Sequence, residues 1–426
     1  MACTTVNLLG SGFAWWFPVN DQCRNGYRHE LYFTNDWKLT MVDLSAGALT
    51  PLRVLDLSRH LAGPFATMMV ADLGAEVIKI EQPDTGDDTR GRCPPVDCRG
   101  MSTYFQSVNR NKASLVLDLN DAHDQEIARQ LALSADVIVS DLESAVLDGA
   151  DLGYQSLQAN PGLVYCSISG AGHPLETPGH DLLIQALGGL MSITGPPDAE
   201  PQKAGVAIVD VLAGLFATVG ILAALRHRDA TGEGQHVEVN LLTSLLSGLV
   251  NQATAYTSAG VIPRRLGNWH PSVAPYEPFA AADEHLVIAV GNDRQFRGLC
   301  TVVGLEALAE DPRFATNSHR NDNRDELHNY LAAEFRKLPA HDWVERCSAA
   351  GVPAGVINSI AGAYSLADSL GLAPIVEVPR PDGTTVRLAR NPINLSATPP
   401  SYRSAPPELG DSLRSNDPGK YCWSIR

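Results

Sequence analysis

Asp210 is the residue whose surroundings most clearly suggest chemistry. Its carboxylate stands alone in an apolar run, with Val206, Ala207, Ile208 and Val209 before it and Val211 and Leu212 after it. A small-residue helical pattern follows, from Val211 to about Arg228. The plain reading makes Asp210 the N-cap of that helix, since Asp is a preferred cap that satisfies a free backbone N–H. A second reading gives it a reactive role. A helix N-terminus holds a carboxylate ionised, and an ionised carboxylate in an apolar pocket can attack an acyl group. The two readings are compatible. Just upstream, PGHDLLIQALGGLMSITG contains His180 and Asp181. A histidine and an aspartate on opposite faces of a carbon acid form a plausible two-base site; the plain reading of His180 is a loop histidine. Lys79, Arg90, Arg92, Arg110 and Lys112 are the cations near predicted strand ends. Each is a candidate for holding phosphate, and each has the ordinary solvated surface charge as its competing reading.

Elements must position these groups, and the chain is long enough to supply them. Its 426 residues, 44% hydrophobic, suffice for a large core and two domains. The net charge of −16 excludes a bulk basic field for nucleic acid. A polyanionic ligand would therefore depend on local cations. No apolar run reaches the roughly 18 residues that span a bilayer. The best candidate, Val211 to Leu225, is interrupted by Gly214, Thr218 and Gly220 and reads as a buried core helix. Eight cysteines are scattered without a metal or redox spacing, so no metal site is expected. The expected setting is reducing: the cytoplasm, or the mitochondrion in a eukaryote.

Residues 1–50 are expected to lie outside the fold. They are aromatic-rich at first, lack periodicity and carry no secretory pattern. Regular structure is predicted from Arg53. A strand (Val54–Ser58), a turn at Ala62-Gly63-Pro64, a helix (Phe65–Leu73), a stop at Gly74 and a strand (Ala75–Glu81) make a βαβ unit and hence a parallel sheet. The unit lacks G-x-G-x-x-G, so a dinucleotide fingerprint is absent. Strand and helix patterns go on alternating to residue 169, which predicts an α/β sheet covered on both faces. A proline-rich loop at 263–279, a strand at 285–290 and helices at 295–303 and 324–338 suggest a smaller α+β domain at 251–350. The chain then returns to the large domain through 351–426, with a hairpin around Pro381-Asp382-Gly383.

Taken in order, these segments resemble the family III CoA-transferases over about residues 51–412. The resemblance rests on RVLDLSRHLAGPFATMMVADLGAEVIKIEQP, GDDTR, SVNRNKASLVLDL, PGHDLLIQALGGLMSITG, GVAIVDVLAGLFATVGILAAL, TGEGQHVEVNLL, LGNWHPSVAPYEPF and GVPAGVINS. It implies a Rossmann-like large domain built from both chain ends, an inserted small domain, and two chains interlocked as a homodimer. It also implies an activity. CoA would pass from an acyl-CoA donor, expected to be succinyl-CoA, to a carboxylic acid, expected to be a dicarboxylate, through an aspartyl-CoA thioester on Asp210. Gly267-Asn268 would lie over the site, with His180 and Asp181 supporting it. His60, Leu61, Ala62 and Gln82 would join Lys79, Arg90, Arg110 and Lys112 in binding CoA. No cofactor beyond the CoA substrate is implied, and no membrane or nucleic-acid partner.

Several positions depart from the family pattern. Gln82 and Gly149 stand where relatives often carry basic residues, and DLESAVL (141–147) replaces N-F-x-P-G-x-L. Weak, salt-dependent CoA binding is the expectation. His180-Asp181 replaces Tyr-Asp, which raises a rival: α-proton exchange as in the α-methylacyl-CoA racemases, by His180 and Asp210. A non-catalytic CoA-binding homologue is the third reading.

Overall fold

Short runs rich in apolar and β-branched residues become the strands of one parallel sheet, most of them buried on both faces. In the computed structural model, which describes residues 29–33, 39–43, 47–172, 179–410 and Trp423, these are Arg53–Leu57 (β1), Glu76–Glu81 (β2), Lys112–Val116 (β3), Val137–Ser140 (β4), Val164–Ser169 (β5) and His236–Asn240 (β6). The order is β3-β2-β1-β4-β5-β6, and every pairing is parallel. Connectivity reverses direction between β1 and β4. Sheets of this order open a ligand crevice at that point, beyond the C-terminal strand ends.

Side-chain alternation sends Val54, Val77, Val139 and Val164 to one face, where they meet helices Ala62–Asp72 (α1) and Ile208–Thr231 (α4) through Ala66, Val70, Ala213, Ala217 and Ile221. Leu55, Ile78, Ile138 and Tyr165 point the other way, onto Ala128 and Leu131 of helix Ala122–Ser134 (α2). Each such aliphatic side chain contributes about 1.5–3 kcal/mol on burial. Gly214 sets the approach of α4 to α1. A Cβ there would stand 2.6 Å from the Ala62 carbonyl oxygen, so only glycine brings the start of α4 this close to the β1–α1 loop.

A second, antiparallel sheet joins Tyr276–Ala280 (β7), His285–Ala289 (β8) and Ala354–Val356 (β9). It has its own core of Phe279, Leu286, Phe296, Leu299, Phe314, Leu331, Phe335 and Trp343. The hairpin Ile375–Pro379 with Thr385–Ala389 follows. The chain then runs back along the large sheet. Asn391 bonds Asp72 at 3.0 Å, Arg403 donates to the carbonyls of Ala71 and Ala75, and Trp423 donates to Ser134 at 2.9 Å.

Several boundaries differ from expectation. Gly47 to Thr50 are not outside the fold: Leu49 N–H bonds the Leu73 carbonyl, and Gly47 packs on Gly74. An antiparallel ladder pairs His29–Phe33 with Leu39–Asp43; the remainder of 1–46, and the segment after Gly410 apart from Trp423, lie outside the described residues. Strand β9 falls beyond 350, so the smaller sheet closes later than predicted. Helix α4 is 24 residues and is long and apolar enough to cross a membrane, against the expectation of a shorter run. Half of its apolar window is buried within the chain.

Candidate active site

The loops leaving the C-terminal ends of β1, β2 and β4 are held by an ion-pair lattice. Asp56 on β1 faces Lys112 Nζ at 3.0 Å and accepts from Ser58 and Thr67 hydroxyls. Lys112 also donates to the Pro64 carbonyl and the Asn109 side chain. Lys79 pairs with Asp87 at 2.9 Å and donates to the Ser58 carbonyl. Arg90 holds Glu81 with two bonds of 2.7 Å and lies over the Phe105 ring. At the opposite end of the sheet, where α1 ends, Arg110 grips Asp72, and its free arm donates to the Ala389 carbonyl. Burial would push Asp56 up, but Lys112 and Lys79 outweigh it and hold the carboxyl well below its usual range. For Asp87 the same contest, won by Lys79 and Thr89, ends at about 2.

This corrects the reading of the cations. Lys79, Arg110 and Lys112 are buried and Arg90 is half-buried, each already matched to a carboxylate. They fasten the strand-end loops and are not free for phosphate.

Asp210 lies in the opposite kind of environment. Helix α4 starts at Ile208 with Ala207 as its N-cap, so Asp210 sits in the first turn and does not cap it. The capping comes from another element. Asp181, first residue of helix Asp181–Leu187 (α3), accepts the Val209 N–H at 2.8 Å. Its second oxygen takes Gln185 Nε2 at 2.6 Å, and Gln185 in turn accepts the Ala204 N–H. Asp210 itself is 8% exposed, and among the described residues no hydrogen bond reaches its carboxylate. Burial first, then the charges of Asp181 and Asp141, push its pKa up to about 7, with Arg92 pulling the other way. The expected easy ionisation at the helix terminus is therefore overridden by desolvation and like charge. Asp141, which accepts the Arg59 N–H with both oxygens, is also raised to about 7, by burial against Arg59 and Lys79.

His60 adopts a left-handed φ of 64° between β1 and α1. Its Nδ1 lies 3.0 Å from Arg92 Nη2 and its Nε2 3.4 Å from Asp88. A guanidinium only donates, so Nδ1 accepts and the ring proton sits on Nε2, toward Asp88. Burial and Arg92 lower the His60 pKa. Leu61 is half-buried beside it and Ala62 is buried beneath. His180 is exposed, with its ring 6.2 Å from that of His60. Gln82 is exposed and bonded only locally, to Thr85. A side chain at Gly149 would meet open space.

Gly267, at φ 62°, donates to the Gly195 carbonyl, and Arg265 ties the same loop to the carbonyls of Pro196, Pro197 and Ala199. Gly267 and Asn268 thus dock on the loop that leads into α4. They also line a cavity of about 280 Å³ with Trp269, Glu277 and His328. Sequence reasoning missed Tyr104 and Arg59, and took Asp141 only as part of a CoA-binding stretch. The Arg59 Nε is buried without a hydrogen-bond partner; RHLAGP showed an arginine there but not its orphaned nitrogen.

Residues 49–412 match the model of CoA-transferase family III. The chain is 41% identical over 372 residues to the succinate–glutarate CoA-transferase of Agrobacterium fabrum, covering 85% of this chain and 93% of the relative. It is 39% identical to the succinyl-CoA:glutarate CoA-transferase of Mus musculus, covering 86% and 85%. Among solved structures it is similar to a CAIB/BAIF family protein from Brucella suis, with a TM-score of 0.77 and 39% identity over 86% of this chain and 97% of that one.

Proposed function

The chain belongs to CoA-transferase family III, and from that premise we propose that it moves CoA from succinyl-CoA to a second dicarboxylic acid through a covalent intermediate on Asp210. The observation that carries the assignment is the Asp210 carboxylate: buried, without a hydrogen-bonded counterion, and held at the start of a long helix. The Asp210 carboxylate attacks the donor thioester carbonyl; the C–S bond breaks and CoA leaves as thiolate, giving an acyl-aspartyl anhydride. The thiolate then attacks the aspartyl carbonyl, releasing the donor acid as carboxylate and leaving an aspartyl-CoA thioester. The acceptor carboxylate repeats the two steps in reverse, leaving with CoA and freeing Asp210. A nucleophile raised toward 7 is less stabilised as an anion than an ordinary carboxylate, and so is more reactive once ionised. Free N–H donors near the acyl oxygen would stabilise each tetrahedral intermediate.

Arg59 adds a cation to the expected CoA-binding group of His60, Leu61 and Ala62. Exposed apolar side chains on α4 and its sequel (Leu215, Val219, Leu246, Val250, Tyr256, Ile262) and on the segment 357–372 (Ile360, Leu370, Leu372) support a second copy of the chain as partner. A folded monomer at micromolar concentration in sedimentation would argue against that dimer.

The test of function supplies the purified protein with succinyl-CoA and a panel of mono- and dicarboxylic acids, and identifies new thioesters by mass spectrometry. A dicarboxylic CoA ester is expected. Acyl-CoA left unchanged with every acid would overturn the reading. So would α-deuteration of a 2-methylacyl-CoA that depends on His180.

A further inference from the structure

The cations around the strand ends fall into two groups: those held by a carboxylate, and Arg59 and Arg92, which among the described residues are not. Lys79, Arg90, Arg110 and Lys112 are each held within 3.0 Å of a carboxylate. Arg92 is not. It is exposed, and among the described residues no carboxylate lies within ion-pair distance of it. Its guanidinium is oriented instead by two uncharged partners. His60 Nδ1 takes one N–H at 3.0 Å, and the Tyr104 ring lies 5.5 Å from the guanidinium carbon. His60 is fixed in turn by Asp88.

Arg92 also stands beside the start of α4: His60, which it touches, has its ring 6.2 Å from that of His180, and the next residue, Asp181, accepts the N–H of Val209, the neighbour of Asp210. Arg92 is the positive charge felt by the Asp210 carboxylate, and Tyr104 feels both Asp210 and Arg92. The groups facing that spot are otherwise negative: Asp181 from α3 and Asp141 from the end of β4. An acid carrying a second carboxylate meets repulsion there from Asp181 and Asp141 unless a cation receives it. A monocarboxylic acyl chain of equal length needs no such cation.

Building on the proposed CoA transfer at Asp210, we propose that Arg92 is the specificity-determining residue for a dianionic acid, its guanidinium holding the distal carboxylate of the acyl group bound at Asp210. His60 and Tyr104 are the positioning residues that present it. The planar fork matches a carboxylate with two parallel N–H bonds, which an ammonium cannot reproduce. No step of bond making passes through Arg92.

The experiment compares wild type, Arg92→Gln and Arg92→Lys with succinyl-CoA as donor and paired acceptors of equal chain length, glutarate against valerate. Binding of CoA alone is measured in parallel by calorimetry. Loss of one charge-assisted, bidentate contact lowers binding roughly ten- to hundredfold. The Gln variant is therefore expected to lose kcat/KM for glutarate by that factor and to keep its value for valerate. The Lys variant should fall between, and CoA binding should not change. In a variant whose circular dichroism matches the wild type, an equal fall for both acids, or a fall in CoA affinity, would overturn the assignment of Arg92 to the distal carboxylate. A wild-type protein that transfers CoA to neither acid would overturn the transferase reading itself, and this proposal with it. A variant that fails to fold would lose CoA binding and both acids together, and His60→Asn then serves as the second variant. It disturbs Arg92 without removing its charge, and the glutarate-to-valerate ratio must still drop for the proposal to stand.

Discussion

Two groups of acids in the large domain are treated in opposite ways. Asp56, Asp87, Glu81 and Asp72 are each matched by a lysine or arginine at 2.6–3.0 Å, and most of their remaining oxygens take hydroxyl, amide or backbone donors. Asp210, Asp181 and Asp141 face one another with Arg92 as the opposing charge on Asp210. In the first group partners outweigh burial, and Asp56, Asp87 and Glu81 are held low. In the second, burial and like charge win, and Asp210 and Asp141 rise to about 7. The fold thus spends its buried cations on fixing the loops and leaves the pocket negative. A structural acid and a reactive acid differ here by what faces them.

Removing a carboxylate from each group should therefore have opposite consequences. Asp210→Ala or Asp210→Asn is expected to cut CoA transfer by about 10³-fold or more, as for loss of a covalent nucleophile. Steady-state thioester exchange measures it, and retention of most activity would break the comparison at its functional end. Asp56→Ala should cost about 3–5 kcal/mol of stability, because it strands Lys112 as an uncompensated buried charge. Denaturant unfolding reads that loss; a neutral result would mean the lattice is not structural.

Asp210→Asn should instead stabilise. The folded pKa lies above the ordinary 3.8, near 7, so the folded state binds the proton more tightly than the unfolded one. Its stability falls as pH rises from about 4 to 7. Substitution by a neutral amide removes that penalty, at most about 4 kcal/mol above pH 7 and nothing below pH 4. Thermal melts across that range decide it, and a gain that does not grow with pH would refute the link to Asp210 ionisation.

Transfer by the free enzyme should lose kcat/KM as pH falls through about 7, where Asp210 takes up its proton. Asp181→Asn keeps an oxygen for the Val209 N–H but removes one like charge. The acid limb should move to lower pH with the fold intact, while an unmoved limb would separate Asp181 from the titration. The smallest effect concerns CoA affinity. Gly149 opens into free space and Gln82 is exposed, so Gly149→Arg or Gln82→Arg should tighten CoA binding by roughly tenfold through one added phosphate contact. Calorimetry that finds neither change would move the phosphates elsewhere, toward Arg59.

The parallel sheet was legible because VLDLS and AEVIKIE each announce a buried strand and the glycines and proline between them mark the turns. Asp210 was legible as a lone acid in an apolar run, but its helix boundary was not. The group that caps α4 is Asp181, 28 residues away on another helix, and no local pattern encodes a cap supplied from outside. The paired cations failed for the same reason. Lys112 and Asp56 are 56 residues apart, and Arg110 meets the carbonyl of Ala389, so their neutralisation exists only once the chain has folded. The helical stretch that begins at Leu241 breaks after Gly248, where Val250 takes a positive φ of 45°, against the preference of a β-branched residue. Strand β9 has only three residues, too few for periodicity to show.

The most direct test of the account is to trap the intermediate. Wild-type protein is mixed with succinyl-CoA without an acceptor acid, quenched in acid, digested and examined by mass spectrometry. The account predicts that CoA is found in thioester linkage on the peptide bearing Asp210, that added glutarate discharges it, and that Asp210→Asn never forms it. CoA on a different residue, or full turnover with no covalent adduct under any quench, would contradict it.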